Sequence, residues 1–272
     1  MVLLCKVMCV NRSGYYAYLK SLNRAKNKNE SLLLLEVKLL DKVSRGSYGT
    51  RQIAKNLQSK GYQIGRYRAR TLMRKAGVEC KQRRRYRITT DSKHKMPVTE
   101  NILNREFKVT SPNKAWVADI TYLWTKEGWL YLAAVLDLFS RRVVGWSVSS
   151  HMREELVEEA LHMALGRRKP LPGLLHHSDR GSQYASHTYQ KCLNDERIIV
   201  SMSRKGNCWD NAVMERFFGS LKSERTDKIN YETRQEAKAD IIDYIEMFYN
   251  SKRLHSALGY VTPLNFENNY LS

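Results

Sequence analysis

Three acidic residues occupy sequence contexts that favour a shared chemical role. Asp119 lies in the segment WVADITYLW, Asp179 in HHSDRGSQY and Glu215 in CWDNAVMERFF, with thirty-five residues between the second and the third. Converging carboxylates repel one another unless a hard divalent cation binds among them. Two Mg2+ ions roughly 3.5–4 Å apart can activate a water or a 3′-hydroxyl and stabilise the departing oxygen of a phosphodiester. The three residues therefore predict a site for two Mg2+ ions, for which Mn2+ can substitute, with Asp119 bridging both.

The spacing of these carboxylates is a weak signal by itself, because the chain has 27 acidic residues. The local pattern strengthens it: Asp119 alternates with apolar residues on a predicted strand, Asp179 follows a short apolar strand, and Glu215 lies on a predicted helix. A carboxylate at the edge of a core is costly unless it is paired or bound to metal. Lys222 lies two turns after Glu215 on the same helix face, where it is either a phosphate contact or an ordinary exposed lysine.

The elements that must position these residues alternate between strands and helices. Strands are predicted at 116–124, 129–136, 142–148, 174–177 and 198–202, and helices at about 153–165, 186–196, 210–224 and 232–249. Short connections make the first three strands an antiparallel meander. The order β-β-β-α-β-α-β-α predicts a mixed α/β layer structure and matches the topology of the ribonuclease H-like fold.

The positive charge is concentrated in the first third of the chain. Residues 1–100 contain 24 Lys and Arg against 6 Asp and Glu, whereas residues 101–272 contain 23 against 21. A basic region attached to a near-neutral body is typical of a module that binds a polyanion such as DNA. A solvated surface that promotes solubility is the alternative interpretation.

Three helices are predicted in this basic third: residues 30–45, a second that begins with Thr50 as its N-cap, and residues 66–76, which end at Gly77. The second and third helices, joined by a turn that contains glycine, predict a helix-turn-helix. The third helix has an apolar face and a separate basic stripe of Arg66, Arg70 and Arg74. We expect these arginines to contact DNA; a small bundle with solvated arginines is the alternative.

A basic stretch follows the helices and includes Arg83, Arg84 and Arg85. It predicts an extended linker that follows a phosphate backbone, although a disordered connector would have the same composition. The five cysteines form no CxxC pair, and the apolar run at residues 1–10 is interrupted by Lys6 and too short to span a bilayer. The sequence therefore predicts a cytoplasmic protein with no membrane partner.

Several segments, in the same order along the chain, resemble the second-frame (OrfB) transposases of the IS-three family of insertion sequences. In the carboxylate region they are WVADITYLWTKEGWLYLAAVLDLFSRRVVGW, HHSDRGSQYAS, SMSRKGNCWDNAVMERFFGSLKSE and YNSKRLHSALGYVTP. Near the start, RSGYYAYL and YGTRQIAKNLQSKGYQIGRYRARTLMRKAGV resemble the amino-terminal region of that family. By this resemblance Asp119, Asp179 and Glu215 correspond to the DDE triad of a retroviral-integrase-like core.

The resemblance implies several further properties. Family members bind the terminal inverted repeats of their element, cleave its 3′ ends with Mg2+ and join them to DNA, first as a circular intermediate and later in a target. The active form is usually a frameshift fusion, so an upstream-frame protein or fusion partner is expected. Pairing two DNA ends requires at least two protomers, which predicts a homo-oligomer on double-stranded DNA. The expected location is the nucleoid of a bacterial cytoplasm.

The predicted organisation has four parts. Residues 1–78 form a helical helix-turn-helix region, 79–110 a basic linker, 111–225 the ribonuclease H-like catalytic core, and 226–272 a C-terminal helical extension of the core. The predicted function is that of a DNA transposase. Two alternatives stay open at this point: a ribonuclease H-like nuclease without strand transfer, and a non-catalytic DNA-binding protein whose core is a relic.

Overall fold

The structure is a computed structural model, and it describes residue 5 and residues 7–22, 28–80, 98–205 and 207–271. The chain folds as two compact units, Met1–Cys80 and Lys81–Ser272. The predicted DNA-contacting residues Arg83, Arg84 and Arg85 lie outside the described residues. The four-part organisation expected from the sequence stays a prediction.

The described part of the first unit is helical. Its helices are α1 (Arg12–Leu22), α2 (Lys28–Ser44), α3 (Thr50–Ser59) and α4 (Arg66–Ala76). The last three helices each bury a stripe of apolar side chains: Leu33, Val37 and Leu40 of α2; Ile53, Ala54 and Leu57 of α3; and Ala69, Leu72 and Met73 of α4. The three helices therefore share a small core, and the apolar face predicted for α4 is confirmed.

The predicted end of α4 is confirmed, whereas the predicted start of α3 is not. Gly77 ends α4 in the left-handed conformation at φ 69°, as predicted, because glycine adopts this conformation without a Cβ clash. The prediction of Thr50 as an N-cap was wrong, because the cap is Gly49 and Thr50 is the first helical residue. The Gly49 amide donates to Oε1 of Gln52 at 3.0 Å, so the third helical residue stabilises a start that lacks a capping side chain.

The second unit is built on one five-stranded sheet. Its strands are β1 (Ala115–Thr125), β2 (Gly128–Asp137), β3 (Val143–Ser149), β4 (Leu175–Ser178) and β5 (Ile199–Met202). They lie in the order β3-β2-β1-β4-β5, which makes β1 the central strand. The first three form the predicted antiparallel meander, whereas β4 runs parallel to β1 and β5 parallel to β4.

Helices follow the strands in the predicted order. They are α5 (Glu154–Arg168), α6 (His187–Asp195), α7 (Ala212–Glu224), α8 (Arg234–Ile242) and α9 (Pro263–Leu271), with a 3-10 turn at Cys208–Asn211 directly before α7. The helix predicted at 232–249 is not uniform, because α8 gives way to a π-helix at Asp243–Tyr249. No helix among the described residues is both long and apolar enough to cross a membrane.

The main core of the second unit lies between the sheet and two helices. Trp116 and Ala118 of β1 are buried in one cluster with side chains of α5 and α6. The alternation of β1 turns Val117 and Asp119 to the opposite side of the strand. The central strand thus has one face in the core and the other face available for a site.

The segment before β1 is attached to the far edge of the sheet. Leu103 is buried, and the backbone amides of Ile102 and Leu103 donate to Oγ of Ser201 in β5 at 2.9 and 3.1 Å. The amide of Met202 donates to the carbonyl of Glu100 at 3.3 Å. These residues lie inside the stretch expected to be a linker, and here they extend the edge of the sheet.

We predict that Gly145→Ala destabilises the second unit. A Cβ at Gly145 in β3 would lie 2.1 Å from the carbonyl oxygen of Ala160 and 2.8 Å from the amide nitrogen of Ala164, so α5 would have to move off the sheet. Overpacking of this kind costs typically about 1–3 kcal/mol. All five tryptophans lie at residues 116–209, so urea unfolding followed by tryptophan fluorescence reports on the second unit.

Gly166→Ala is the matched control for this substitution. Gly166 lies in α5 with no atom within 4 Å of an added Cβ, so alanine meets no obstacle there. It should raise the free energy of unfolding by roughly 0.5–1 kcal/mol through helix propensity. Equal stability of Gly145→Ala and the wild type would contradict the close approach of α5 to β3.

Candidate active site

Asp119 lies in the middle of the central strand. It is half-buried, and its Oδ1 accepts a hydrogen bond of 2.8 Å from the backbone amide of Ile120. Burial raises the pKa of Asp119 well above its ordinary value of 3.8, and the negative charges of Asp179 and Glu215 raise it further. The Ile120 amide and the charge of Lys222 act in the opposite direction. A carboxylate in this environment favours a cation beside it.

Asp179 reaches the same place from the neighbouring strand. Strand β4 pairs in parallel with β1 in a register that joins Val117 to His177, and two more residues along each chain bring Asp179 beside Asp119. The backbone turns sharply here, because Oδ1 of Asp179 accepts from the amide of Gly181 at 2.9 Å. A Cβ on Gly181 would stand 3.0 Å from that oxygen, so the turn favours glycine.

Glu215 lies in the first turn of α7, and burial raises its pKa. The start of this helix is fixed to the central strand, because Nδ2 of Asn211 donates to the carbonyl of Ala118 at 3.0 Å. Ala118 directly precedes Asp119 in the chain. The same hydrogen bond therefore sets the position of α7 relative to Asp119.

The turn that precedes α7 is held by a buried carboxylate. Asp210 accepts hydrogen bonds from the side chains of Arg204, Arg105 and Asn101, with distances of 2.8–2.9 Å. These contacts, with Arg204 first, lower the pKa of Asp210 far below its ordinary value. Asp210 is thus a structural anion that joins the segment before β1 to the helix of Glu215. No local sequence pattern marks Asp210 for this role, because its partners Arg105 and Asn101 are about a hundred residues away.

The three predicted carboxylates interact electrostatically, because, in addition to burial, the negative charges of Asp179 and Glu215 both raise the pKa of Asp119. In the described part of the chain, no group of three His, Cys, Asp or Glu side chains is close enough together to hold one metal ion. The two nearby histidines have other partners: the ring nitrogens of His177 contact Ser201 and Ser203, and Nε2 of His176 contacts the hydroxyl of Tyr189. Burial lowers the pKa of His176 to about 3 and that of His177 to about 4.

Lys222 lies near this group on α7. Its Nζ is 5.1 Å from the centre of the Tyr122 ring, and its positive charge lowers the pKa of Asp119. Burial lowers the pKa of Lys222 itself, against the opposing effect of Asp227 and Asp119. Lys222 is therefore a half-buried lysine whose ammonium group lies over the Tyr122 ring.

Other polar residues near the core of the second unit have structural partners. Asp137 is fully buried and caps the β2–β3 turn, since its oxygens accept from the amides of Phe139 and Asn113. Arg253 forms a buried ion pair with Glu224 at 2.6 Å and braces the C-terminal segment. Two nearby aromatic residues differ in exposure: Tyr184 is buried in the core, whereas Trp209, beside the start of α7, is 67% exposed.

The predicted DNA-contacting residues of the first unit lie on the outside of α4. Arg66, Arg70 and Arg74 are exposed, while the apolar residues of the same helix face inward. The structure therefore separates the basic stripe from the core in the way that DNA contact requires.

Comparison with known proteins assigns both units to families. The family described as "Integrase core domain" matches residues 109–208, and a second integrase core family matches residues 215–271. An "HTH-like domain" family matches residues 27–86. The helix-turn-helix and the integrase-type, ribonuclease H-like core predicted from the sequence are confirmed by these matches and by the mixed sheet.

Relatives from several bacteria cover nearly the whole chain. A 31 kDa protein of insertion element IS600 from Shigella sonnei is 43% identical over 98% of both chains. The transposase of element IS904 from Lactococcus lactis is 43% identical over 87% of this chain and 93% of its own. Transposase InsF of insertion sequence IS3A from Escherichia coli is 38% identical over 99% of this chain and 94% of its own.

Among solved structures, the catalytic core of HTLV-2 integrase covers 59% of this chain and 99% of its own, with 18% identity and a TM-score of 0.45. A likeness of this size adds nothing to the assignment, which rests on the sequence relatives and the family matches. The predicted function and enzyme class are confirmed by those relatives, and DNA is the partner that both domain types imply. The chain belongs to the IS3 family of insertion-sequence transposases, enzymes of the DDE transposase and integrase class.

Proposed function

We propose that Asp119, Asp179 and Glu215 are the catalytic carboxylates of this transposase and that they hold two Mg2+ ions, which Mn2+ can replace. The observation that supports this most directly is the geometry: the parallel register of β1 and β4 brings Asp179 beside Asp119, and the Asn211 hydrogen bond to Ala118 fixes the helix of Glu215 to the same strand. In this half-buried position, burial and the two further carboxylates raise the pKa of Asp119. A site made of carboxylate oxygens alone suits a hard divalent cation. A carboxylate also has about four acceptor positions, so the single backbone hydrogen bond of Asp119 leaves capacity for a cation.

The residues of the chain divide the work of phosphodiester chemistry among them. Bound Mg2+ supplies activation of the attacking water or 3′-hydroxyl and neutralisation of the leaving oxygen. Asp119 would offer its oxygens from β1, Asp179 from the turn directly after the parallel strand β4, and Glu215 from the first turn of α7. Lys222, beside Asp119, contacts a DNA phosphate and orients the strand. One site of this kind first hydrolyses the 3′ end and then uses the freed hydroxyl for strand transfer.

The DNA is held by the basic first third of the chain. Arg66, Arg70 and Arg74 of α4 lie along the outside of the helix-turn-helix and contact the terminal inverted repeats of the element. Arg83, Arg84 and Arg85 follow the phosphate backbone beyond them. Two ends are joined to each other or to target DNA, so a homo-oligomer forms on the DNA, together with an upstream-frame protein or fusion partner. The enzyme acts at the bacterial nucleoid.

We predict that Asp179→Asn and Glu215→Gln abolish cleavage and strand transfer but leave DNA binding intact. The asparagine keeps the Oδ1 that accepts from Gly181, so the turn survives while the charge is lost. Loss of a direct ligand should exceed the roughly 10–100-fold cost of losing an outer-shell partner. The measurement is strand transfer of a labelled oligonucleotide that carries a terminal repeat, with Mg2+ and with EDTA.

Glu196→Gln is the control for these two variants, because this exposed carboxylate lies after α6 and away from the site. It should react like the wild type. Metal-dependent cleavage without joined products, even with the upstream-frame protein added, would mean a nuclease and would reject strand transfer. Full activity of Asp179→Asn would reject the proposed carboxylate set.

We also predict that Asp119→Asn stabilises the metal-free protein at neutral pH. Because the folded-state pKa of Asp119 is raised above its ordinary 3.8, the folded protein retains a proton that the unfolded chain has lost, and stability falls as pH rises between the two values. Above the raised pKa the full penalty is present, and asparagine removes it. Urea unfolding at several pH values in EDTA measures this difference.

Added Mg2+ should stabilise the wild type more than it stabilises the Asp119→Asn variant. It should stabilise the wild type by about 2.7 kcal/mol at a hundredfold excess over Kd, and the effect should shrink as pH falls and Asp119 is protonated. The Asp119→Asn variant should gain far less. An equal gain in both proteins would place the ion elsewhere.

For the first unit, we predict that Arg70→Ala weakens binding to duplex DNA of any sequence and reduces the salt dependence of the binding constant. Each phosphate contact contributes roughly 0.9 to the slope of log K against log salt, so the slope should fall by about that amount. Lys60→Ala is the control, since Lys60 is paired with Glu36. An unchanged slope for Arg70→Ala would remove this residue from the DNA interface.

A further inference from the structure

A groove lies in the second unit between the β1–β2 hairpin and the segment that follows α7. We call it the hairpin groove, and its volume is about 380 Å³. It is lined by aromatic, cationic and polar side chains, among them Tyr122, Trp124, Trp129, Lys222, Asn230 and Tyr231. Its size falls in the range of about 300–1,000 Å³ that small-molecule sites occupy.

One wall of the hairpin groove is a cluster of three aromatic rings. Trp124 and Trp129 are cross-strand partners with ring centres 4.9 Å apart, and Tyr122 lies 5.0 Å from Trp129. Both tryptophans remain open to solvent, with 58% and 44% of their surfaces exposed. Adjacent exposed tryptophans on a rigid hairpin form an apolar surface that typically binds a ligand.

The end of the groove nearest the carboxylates is cationic. Lys222 places its Nζ 5.1 Å from the centre of the Tyr122 ring, and its charge is felt at Asp119. Lys126, another lining residue, is already paired with Glu232 at 2.7 Å. The groove therefore joins an aromatic surface to an ammonium group that faces the proposed catalytic site.

The floor of the hairpin groove is held in place by hydrogen bonds and carries polar atoms. Tyr231 is buried, its hydroxyl donates to Asp240 at 2.6 Å, and its carbonyl accepts from the amide of Lys126 at 3.0 Å. Thr125 and Tyr231 also form a parallel β-bridge that joins the segment after α7 to the hairpin. These contacts hold the walls apart at a set distance, so the groove is a preformed feature.

We propose that the hairpin groove binds one unpaired nucleotide of the DNA end, with its base against Trp124 and Trp129 and its phosphate at Lys222. This rests on the proposed function, because that function brings DNA ends to Asp119. A ligand with a flat aromatic group and an adjacent negative charge matches the two ends of the groove. A base in the interior of a duplex is already stacked on both faces, whereas an unpaired base is free to lie against these rings.

The spacing along β1 between Asp119 and the groove residues is compatible with a bound nucleotide. Tyr122 is three residues after Asp119, which corresponds to about 10 Å at roughly 3.3 Å per residue. Trp124 lies two residues farther along the strand. Tyr122 and Trp124 alternate to the side of β1 opposite Asp119. Lys222 of α7 connects the two sides, because its Nζ lies 5.1 Å from the centre of the Tyr122 ring and its charge lowers the pKa of Asp119. A DNA end whose scissile phosphate is at the carboxylates therefore reaches the groove past Lys222, provided that its terminal pairs open.

The test is binding of full-length protein in EDTA to duplex oligonucleotides with a short single-stranded extension, measured by fluorescence anisotropy. Extensions with 3′ and with 5′ polarity are compared with the same extensions made abasic, which keeps the phosphates and removes the bases. For one polarity the wild type should lose affinity on the order of tenfold when the bases are removed. Trp124→Ala should lose a similar factor on the intact extension and nothing further on the abasic one.

Three further variants sharpen this comparison. Trp124→Phe keeps a flat ring and should restore most of the base-dependent affinity. Tyr270→Ala removes another aromatic residue, 51% exposed and outside the groove, and should change nothing. Asp179→Asn should keep the whole base-dependent difference, so a failure of catalysis and a failure of the groove appear in different measurements.

Two results would overturn the proposal. The first is equal affinity of the wild type for intact and abasic extensions of both polarities. The second is an equal loss of affinity for both kinds of extension in Trp124→Ala, which would make the groove a contact for duplex or backbone.

Discussion

The second unit depends on one electrostatic constraint, which is that its central strand holds a carboxylate opposed by two others. The pKa of Asp119 is raised by burial and by Asp179 and Glu215, so ionising this carboxyl group costs the folded protein free energy that a purely structural core would avoid. The parallel register of β1 and β4 and the Asn211 hydrogen bond to Ala118 hold the three groups near one another despite this repulsion. Stability elsewhere in the sheet offsets this local cost.

Comparison with two other buried carboxylates shows that this arrangement is specific to the site. Asp137 receives two backbone amides, although burial still raises its pKa, whereas Asp210 receives an asparagine and two arginines, and the arginines lower its pKa. Asp119 has the Ile120 amide and the more distant charge of Lys222. Asp119 differs from both in facing two further carboxylates, which add to burial in raising its pKa, and this is the condition expected of a cation site.

Local patterns predicted most of this framework, and contacts between distant segments account for the rest. The alternation around Asp119 and the glycine stop at Gly77 follow from strand and helix geometry, so both were predictable. The docking of residues 98–110 depends on Ser201 and Asp210, about a hundred residues away, and no periodicity encodes that. The hairpin groove was missed because alternation assigns Trp124 to the same face as the buried Trp116, although its side chain is 58% exposed.

The change along β1 from the buried Trp116 to the exposed Trp124 has a structural cause. The central strand has eleven residues and β4 has four, and their pairing involves only Ala115, Trp116 and Val117 of β1. Just beyond the last paired residue β4 has ended, so Asp119 meets Asp179 and α7 there. Farther along, the strand continues into a hairpin whose aromatic residues are exposed. Because one strand carries both features, their separation along β1 is set by residue count, while alternation places Asp119 on one side of the strand and Tyr122 and Trp124 on the other.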